Sequence, residues 1–317
     1  MKQYSVFLGK VAAIFVPILA LFTLLYFIGY TPLLTSSISF DAKLKYIKEK
    51  QIKQTDIIAI GSSMTLNNLS SDVIKDSLSK SYFNFASWGL QINDTYDVTN
   101  DYISRYKPKC IIVVSSITDF TNNNLSSSIN NYLSTSRYIK DNLEWYFYIK
   151  NFNSIGEIRS RKKELAKCEA LNNDDYSSLQ FDEAGGILLD IPKEKISLKR
   201  WNDHLLFPTT YSSSHYKALG RLSALLKNQK IQFIFVQPPI KMQYVTTLVS
   251  QQIVDHHFLK CKNIVESYGG IYLNFHGIKE FTKDSLFVDQ YHLSSTGAAL
   301  FTKKITHSLK DIYAHRK

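Results

Sequence analysis

"IIAIGSSMTL", Ile57–Leu66, is the stretch on which the rest of the chain is read. Four apolar residues, three of them β-branched, stop at Gly61. Two serines follow, and the sequence then turns amphipathic. A short, continuous apolar run ended by a glycine reads as a strand buried on both faces, running into a helix.

The same pattern recurs downstream. "YFNFA" (Tyr82–Ala86), "CIIVVSSI" (Cys110–Ile117), "IQFIFVQ" (Ile231–Gln237, stopped by Pro238 and Pro239) and "IYLNF" (Ile271–Phe275) read as four further strands. Between them, Leu66–Leu78, Asp94–Tyr106, Tyr216–Lys227 and Val249–Tyr268 carry apolar residues at three- and four-residue spacing, the period of a helix with one buried face. Strand alternating with helix predicts an α/β domain: a three-layer α/β/α sandwich of flavodoxin-like type around a mainly parallel five-stranded sheet. Residues 120–215 break the rhythm with Asn/Ser-rich turns, the aromatic "WYFYI" and the basic "RSRKK", and read as an insertion over the sheet. Loops beyond the carboxyl ends of such strands are where ligands bind.

Charge and composition narrow the function classes. The 317 residues carry a formal charge of +11, which favours anionic partners. The lysines are scattered and no nucleic-acid motif is present, so the excess reads as a basic surface and nucleic acid is not expected as a partner. The three cysteines, Cys110, Cys168 and Cys261, form no CxxC pair, and Asp255, His256 and His257 stand together without further ligands at metal spacing. Neither G-x-G-x-x-G nor G-K-[ST] occurs. No metal and no cofactor is expected.

The amino-terminal end has its own character. No charged residue occurs from Val11 to Phe40. The run Val11–Gly29 has about the length a helix needs to cross a ~30 Å hydrocarbon layer. Pro17 is tolerable in such a helix, and Tyr26 and Tyr30 sit where interfacial rings are favourable. The run is longer than a signal-peptide core and no small-x-small cleavage site follows, so it reads as an uncleaved anchor. Residues 1–30 are thus expected to be a cytoplasmic tip and transmembrane segment, residues 31–54 a polar, basic stalk, and residues 55–317 the folded domain. Lys2 and Lys10 favour a cytoplasmic amino terminus and an extracytoplasmic bulk; Lys43, Lys45, Lys48, Lys50 and Lys53 argue the other way.

Near the carboxyl end, "FVDQYHLSSTGAALF" (Phe287–Phe301) places Asp289 and His292 three residues apart, close enough to share one side of a helical or tight turn, with Ser294 or Ser295 available to cap the helix that follows. A serine hydroxyl becomes nucleophilic when a base takes its proton. Histidine does this near neutral pH, and a carboxylate fixes its tautomer. The sequence supplies Ser62 and Ser63 at one strand end and the acid and base at another, in the order Ser, Asp, His. It is not the G-x-S-x-G elbow, because Thr65 stands where that motif has its second glycine. If these groups act together, Ser63 Oγ and a His292 ring nitrogen should lie within about 3–4 Å.

The blocks resemble those of the SGNH (GDSL-like) hydrolase superfamily. "IAIGSSMTL" is similar to its first block, with Ser63 at the nucleophile position and Ser62 where many members have Asp. "FNFASWGLQINDTYD" resembles the second, where Gly89 would contribute an oxyanion amide. "DQYHLSSTG" resembles the last, with Asp289 and His292 completing a triad. The third block departs: "SSITDF" (Ser115–Phe120) has Thr118 where many members have an oxyanion Asn. Together with the amino-terminal span, this pattern is similar to the membrane-anchored branch that includes the proteins of teichoic-acid D-alanylation and alginate O-acetylation. The resemblance implies an esterase or O-acyltransferase on an acylated cell-envelope glycan, partnered by a membrane-bound O-acyltransferase, with Ser63, Gly89 and Thr118 around the oxyanion. Two other readings stay open: a non-catalytic scaffold or glycan-binding partner of the same fold, and a cytoplasm-facing lipid esterase.

Overall fold

The computed structural model describes residues 2–27, 37–120, 155–202, 213–241, 243 and 245–315. Five strands form one all-parallel sheet in the order β2-β1-β3-β4-β5: β1 Ile57–Ala59, β2 Tyr82–Asn84, β3 Cys110–Val114, β4 Gln232–Gln237 and β5 Ile271–Asn274. Each expected apolar run yields its strand, shortened by a residue or more at its ends. The chain leaves β1 towards one edge to make β2 and returns to the other side to make β3. In open α/β sheets ligands bind at such a reversal, beyond the carboxyl ends of the strands, here those of β1 and β3.

Alternation along the strands sorts the core into two halves. Ile58, Ile111, Val113, Phe233 and Phe235 face one way, and α5 (Ile92–Tyr106), α8 (Ser213–Asn228) and α9 (Leu248–Ser267) cover them with Tyr102, Tyr106, Leu219, Leu222, Cys261 and Val265. Ile57, Ala59, Ile112, Val114, Ile234 and Val236 face the other way, covered by α4 (Ser71–Leu78) and α10 (Ser295–His315) through Ile74, Ala298, Phe301 and Ile305. Both faces are apolar and covered, which is why these strands read as unbroken hydrophobic runs. The segment Leu66–Leu78 is two helices rather than one. α3 (Ser63–Asn68) stops at Leu69, and Ser70 caps α4 by accepting from the Val73 N–H.

The expected stalk is part of the domain. α2 (Ile38–Glu49) is capped by Ser37 and buries Phe40, Ala42, Leu44 and Ile47 against the core. Its lysines mislead because Lys43 is itself buried, donating to the carbonyls of Asn84 and Gly185 beneath the Phe181 ring. Burial holds its ammonium well below the ordinary lysine value. Within the insertion, α6 (Ile155–Ala170) packs on α2, and the segment that follows runs beside edge strand β2, where the Asn84 N–H donates to the Ala184 carbonyl at 2.7 Å. Arg161, one of the basic residues of that insertion, reaches the buried Asp41 of α2 at 3.7 Å. The aromatic run Trp145–Ile149 and Tyr30 lie outside the described residues.

At the amino terminus, α1 (Lys2–Phe27) includes Pro17 and is one helix long and apolar enough to cross a membrane. Val6, Phe7, Leu8, Phe15, Val16 and Leu19 are all exposed.

Candidate functional site

The site begins where β1 ends. Gly61 adopts φ +150, and a Cβ there would sit 2.5 Å from Thr65 Oγ1, so the turn out of the strand is one that only glycine accommodates. Thr65 explains the crowding. Its hydroxyl donates to the Val114 carbonyl at 2.7 Å and accepts from the Val114 N–H at 3.0 Å, pinning α3 to the end of β3. Ser62 is the N-cap of α3 and accepts from the Met64 N–H at 3.1 Å. Ser63 is therefore the first helical residue, half-buried at the carboxyl end of the sheet.

Asp289 and His292 arrive from the other side on a tight loop rather than a helix. The Val288 N–H donates to the His292 carbonyl at 3.0 Å, and Phe287 and Leu293 bridge as a minimal antiparallel pair. Asp289 Oδ1 accepts from the His292 N–H at 2.7 Å and the Tyr291 N–H at 3.1 Å, so the carboxylate organises the loop that carries it. Its Oδ2 lies 2.8 Å from His292 Nδ1, and His292 Nε2 lies 2.9 Å from Ser63 Oγ. With a carboxylate on one side, Nδ1 carries the proton and donates, which leaves Nε2 to accept from the serine hydroxyl. The spacing expected for a serine–histidine pair is thus met. Ser294, not Ser295, caps α10, accepting from the Gly297 N–H at 3.2 Å.

Electrostatics support the same arrangement. Burial alone would raise the Asp289 carboxyl, but the facing His292 and the hydrogen bonds from His292 and Tyr291 hold it below its ordinary value. The Arg200 guanidinium lies 3.9 Å from Oδ2. Arg200 belongs to the short helix α7 (Leu198–Asn202) of the insertion and stacks on Tyr176, whose hydroxyl donates to the Val288 carbonyl. Part of the insertion therefore buttresses the Asp–His loop.

Gly89 and Thr118 lie on the loops after β2 and β3, the two strands that flank β1. Gly89 has φ +72 in a turn tied to the end of β1 by the Ser87 N–H, which donates to the Gly61 carbonyl at 3.1 Å. Thr118 Oγ1 is 2.6 Å from Ser116 Oγ on a 3-10 turn, Ile117–Phe120.

Two buried residues at the site had no role assigned from the sequence. Asn68, on the last turn of α3, donates to the Tyr291 carbonyl at 3.2 Å and accepts from the Leu293 N–H at 2.9 Å, clamping both sides of His292 to the helix that bears Ser63. Asp119 follows Thr118 and accepts from the Ser115 hydroxyl at 2.9 Å, the Ser116 N–H at 3.1 Å and the Ser62 hydroxyl. Burial pushes its carboxyl up to about 6 against those hydrogen bonds and the attraction of His292. Asp119 was visible as an acid after a strand. Nothing in the sequence marks Asn68, because its partners lie more than two hundred residues away.

His257 resolves as a core residue, with Nδ1 2.8 Å from the Tyr216 hydroxyl and its imidazole pushed down to about 3 by burial. Among the described residues no group of three or more His, Cys, Asp or Glu is placed to hold a metal. No family model matches the chain, and no curated protein matches it either.

Proposed function

We propose that this protein is a serine-dependent esterase or O-acyltransferase with the three-layer α/β/α fold of the SGNH hydrolases, anchored by its amino-terminal helix and acting on acyl groups of a cell-envelope polysaccharide. One observation carries the reading: the hydrogen-bonded chain from Ser63 Oγ through the His292 imidazole to Asp289, at 2.9 and 2.8 Å. A scaffold has no chemical need for that alignment across 229 residues of sequence.

In this reading Ser63 attacks the carbonyl of an acyl ester or thioester as His292 Nε2 takes its proton, and Asp289 stabilises the imidazolium. The backbone N–H groups of Ser63 and Gly89 receive the oxyanion, and Thr118 donates there when Ser116 donates to Thr118. The intermediate collapses to an acyl-Ser63, and the leaving alcohol or thiol takes the proton from His292. Water or a sugar hydroxyl then gives its proton to His292 and attacks the acyl-enzyme, and as the acyl–Oγ bond breaks His292 returns that proton to Ser63, releasing a carboxylic acid or an acylated glycan. Three similar blocks, the third block's departure at Thr118 and the amino-terminal apolar helix support a place in the membrane-anchored branch, with the catalytic bulk outside the cytoplasm and a membrane-bound O-acyltransferase as partner.

The test is hydrolysis of p-nitrophenyl acetate by the purified protein. Ser63→Ala and His292→Ala should each lower kcat/KM by roughly 10³-fold or more. Equal rates in wild type and both variants would remove the reading. A second reading, a glycan-binding partner without turnover, is favoured by Thr118, whose hydroxyl is engaged by Ser116. It expects binding of acylated glycan that is unchanged by Ser63→Ala.

A further inference from the structure

α2 reaches the candidate site at two points one helical turn apart. Ser39 and Lys43 are both fully buried, although α2 precedes the sheet in the sequence and reads as polar. Ser39 Oγ accepts from the Trp88 N–H at 3.2 Å and from the Ser87 hydroxyl at 3.2 Å. Those residues begin the turn that carries Gly89. Lys43 Nζ donates to the Asn84 carbonyl at 3.0 Å. Asn84 in turn uses both ends of its amide: Nδ2 donates to the Thr65 carbonyl on α3 at 3.1 Å, and Oδ1 accepts from the Ala86 N–H at 3.0 Å.

We infer that α2 is a positioning element for the acyl-transfer site, with Ser39 setting the peptide next to the Gly89 amide and Lys43 securing, through Asn84, the alignment of that turn with the Ser63 helix. The inference rests on the acyl-transfer reading above. Its physical basis is that an oxyanion donor works only when its direction is fixed before the charge forms. The Trp88 N–H is satisfied by a side chain rather than by sheet or helix, so the turn has no backbone ladder of its own at that point. Without the Ser39 oxygen, the part-buried Trp88 amide must find another acceptor, and the adjacent peptide turns with it.

A control lies on the same helix. The Tyr46 hydroxyl donates to the Asp182 carbonyl at 2.9 Å, a bond between α2 and the insertion that does not involve the Gly89 turn. The experiment compares Ser39→Ala, Ser39→Thr and Tyr46→Phe in the full chain, in detergent. The readouts are the rate of Ser63 phosphonylation by a fluorophosphonate probe and the kcat and KM for p-nitrophenyl acetate. Ser39→Ala should slow labelling and lower kcat by roughly tenfold with KM within about twofold, because one donor is misaligned rather than lost. Ser39→Thr, which keeps the hydroxyl, should recover most of that rate, and Tyr46→Phe should label like wild type. If Ser39→Ala does not fold, Ser39→Cys, similar in shape but a poor acceptor, is read in its place. Wild-type labelling rates in the Ser39 variants, or an equal slowing in Tyr46→Phe, would overturn the positioning role while leaving the enzyme reading intact. Wild type labelling no faster than Ser63→Ala would instead remove the enzyme reading and the positioning role with it.

Discussion

The residue that decides whether His292 faces Ser63 is Asn68. Its amide makes two hydrogen bonds to the backbone on either side of the histidine from a fully buried position. Asn68→Ala leaves the buried Leu293 N–H unpaired, a cost of about 1–3 kcal/mol before relaxation, and also frees the part-buried Tyr291 carbonyl. It should lower kcat roughly 10- to 100-fold with little change in KM, and lower the urea midpoint; a kinetic assay and an equilibrium unfolding curve read the two effects separately. Asp119 makes a different prediction, in pH. Its carboxyl binds a proton more tightly folded, at about 6, than its ordinary 3.8. Between those values the folded state holds the extra proton, so this residue favours the fold at low pH and that contribution is lost as pH rises through 6. Asp94, pushed up to about 7 mainly by burial, acts in the same sense. Asp289, held below its ordinary value, acts in the opposite sense: its stabilisation is present above that value and lost as pH falls through the folded one. Asp119→Asn should therefore flatten the decline in stability between pH 4 and 6, by roughly 3 kcal/mol at most. Unfolding curves at pH 4.5 and 7 with equal differences in wild type and variant would refute this. At this scale the sequence was most informative about Ser63, Asp289 and His292, whose side chains carry reactive groups. It was least informative about Asn68 and Ser39, whose roles exist only through contacts distant in the chain.

Among elements, the short parallel strands were legible because both faces are buried and hydrophobicity alone reports them. The helices of the βαβ rhythm were legible from their period. α2 was not, because a lysine inside the fold looks the same in sequence as one in water; only the carbonyls of Asn84 and Gly185 distinguish Lys43 from Lys45. The Asp–His loop was legible as a spacing but not as a hairpin, since its closure depends on α10. Gly297, in the first turn of α10, is where that dependence can be tested. A Cβ there would lie 2.1 Å from the Leu286 carbonyl oxygen, at the base of the loop. Gly297→Ala must displace backbone, and should lower the thermal midpoint by several degrees and abolish turnover together. A variant that kept both would show that the loop closes independently of the helix.

For the whole molecule, the candidate membrane helix and the domain can be separated between α1 and α2. α1 ends at Phe27 and α2 begins at Ile38, so the linking residues reach at most roughly 40 Å, and a site braced by α2 works near the membrane surface if α1 spans it. A chain beginning at residue 36 should unfold cooperatively as a soluble domain. A chain beginning at residue 50, without the apolar face of α2, should not; a sharp thermal transition in the shorter chain would show that α2 is dispensable. The α/β class and the parallel five-stranded sheet were legible from the alternation of apolar runs, whereas the packing of the insertion against β2 and Asp289 was not, because its polar sequence carries no period. Under the proposed mechanism Ser63 is an activated nucleophile. Intact-protein and peptide mass spectrometry after brief exposure to a fluorophosphonate tests this. One phosphonyl adduct per chain is expected, located on Ser63 and lost in His292→Ala; an unmodified protein, or an adduct that persists in Ser63→Ala, would show that Ser63 is not the nucleophile.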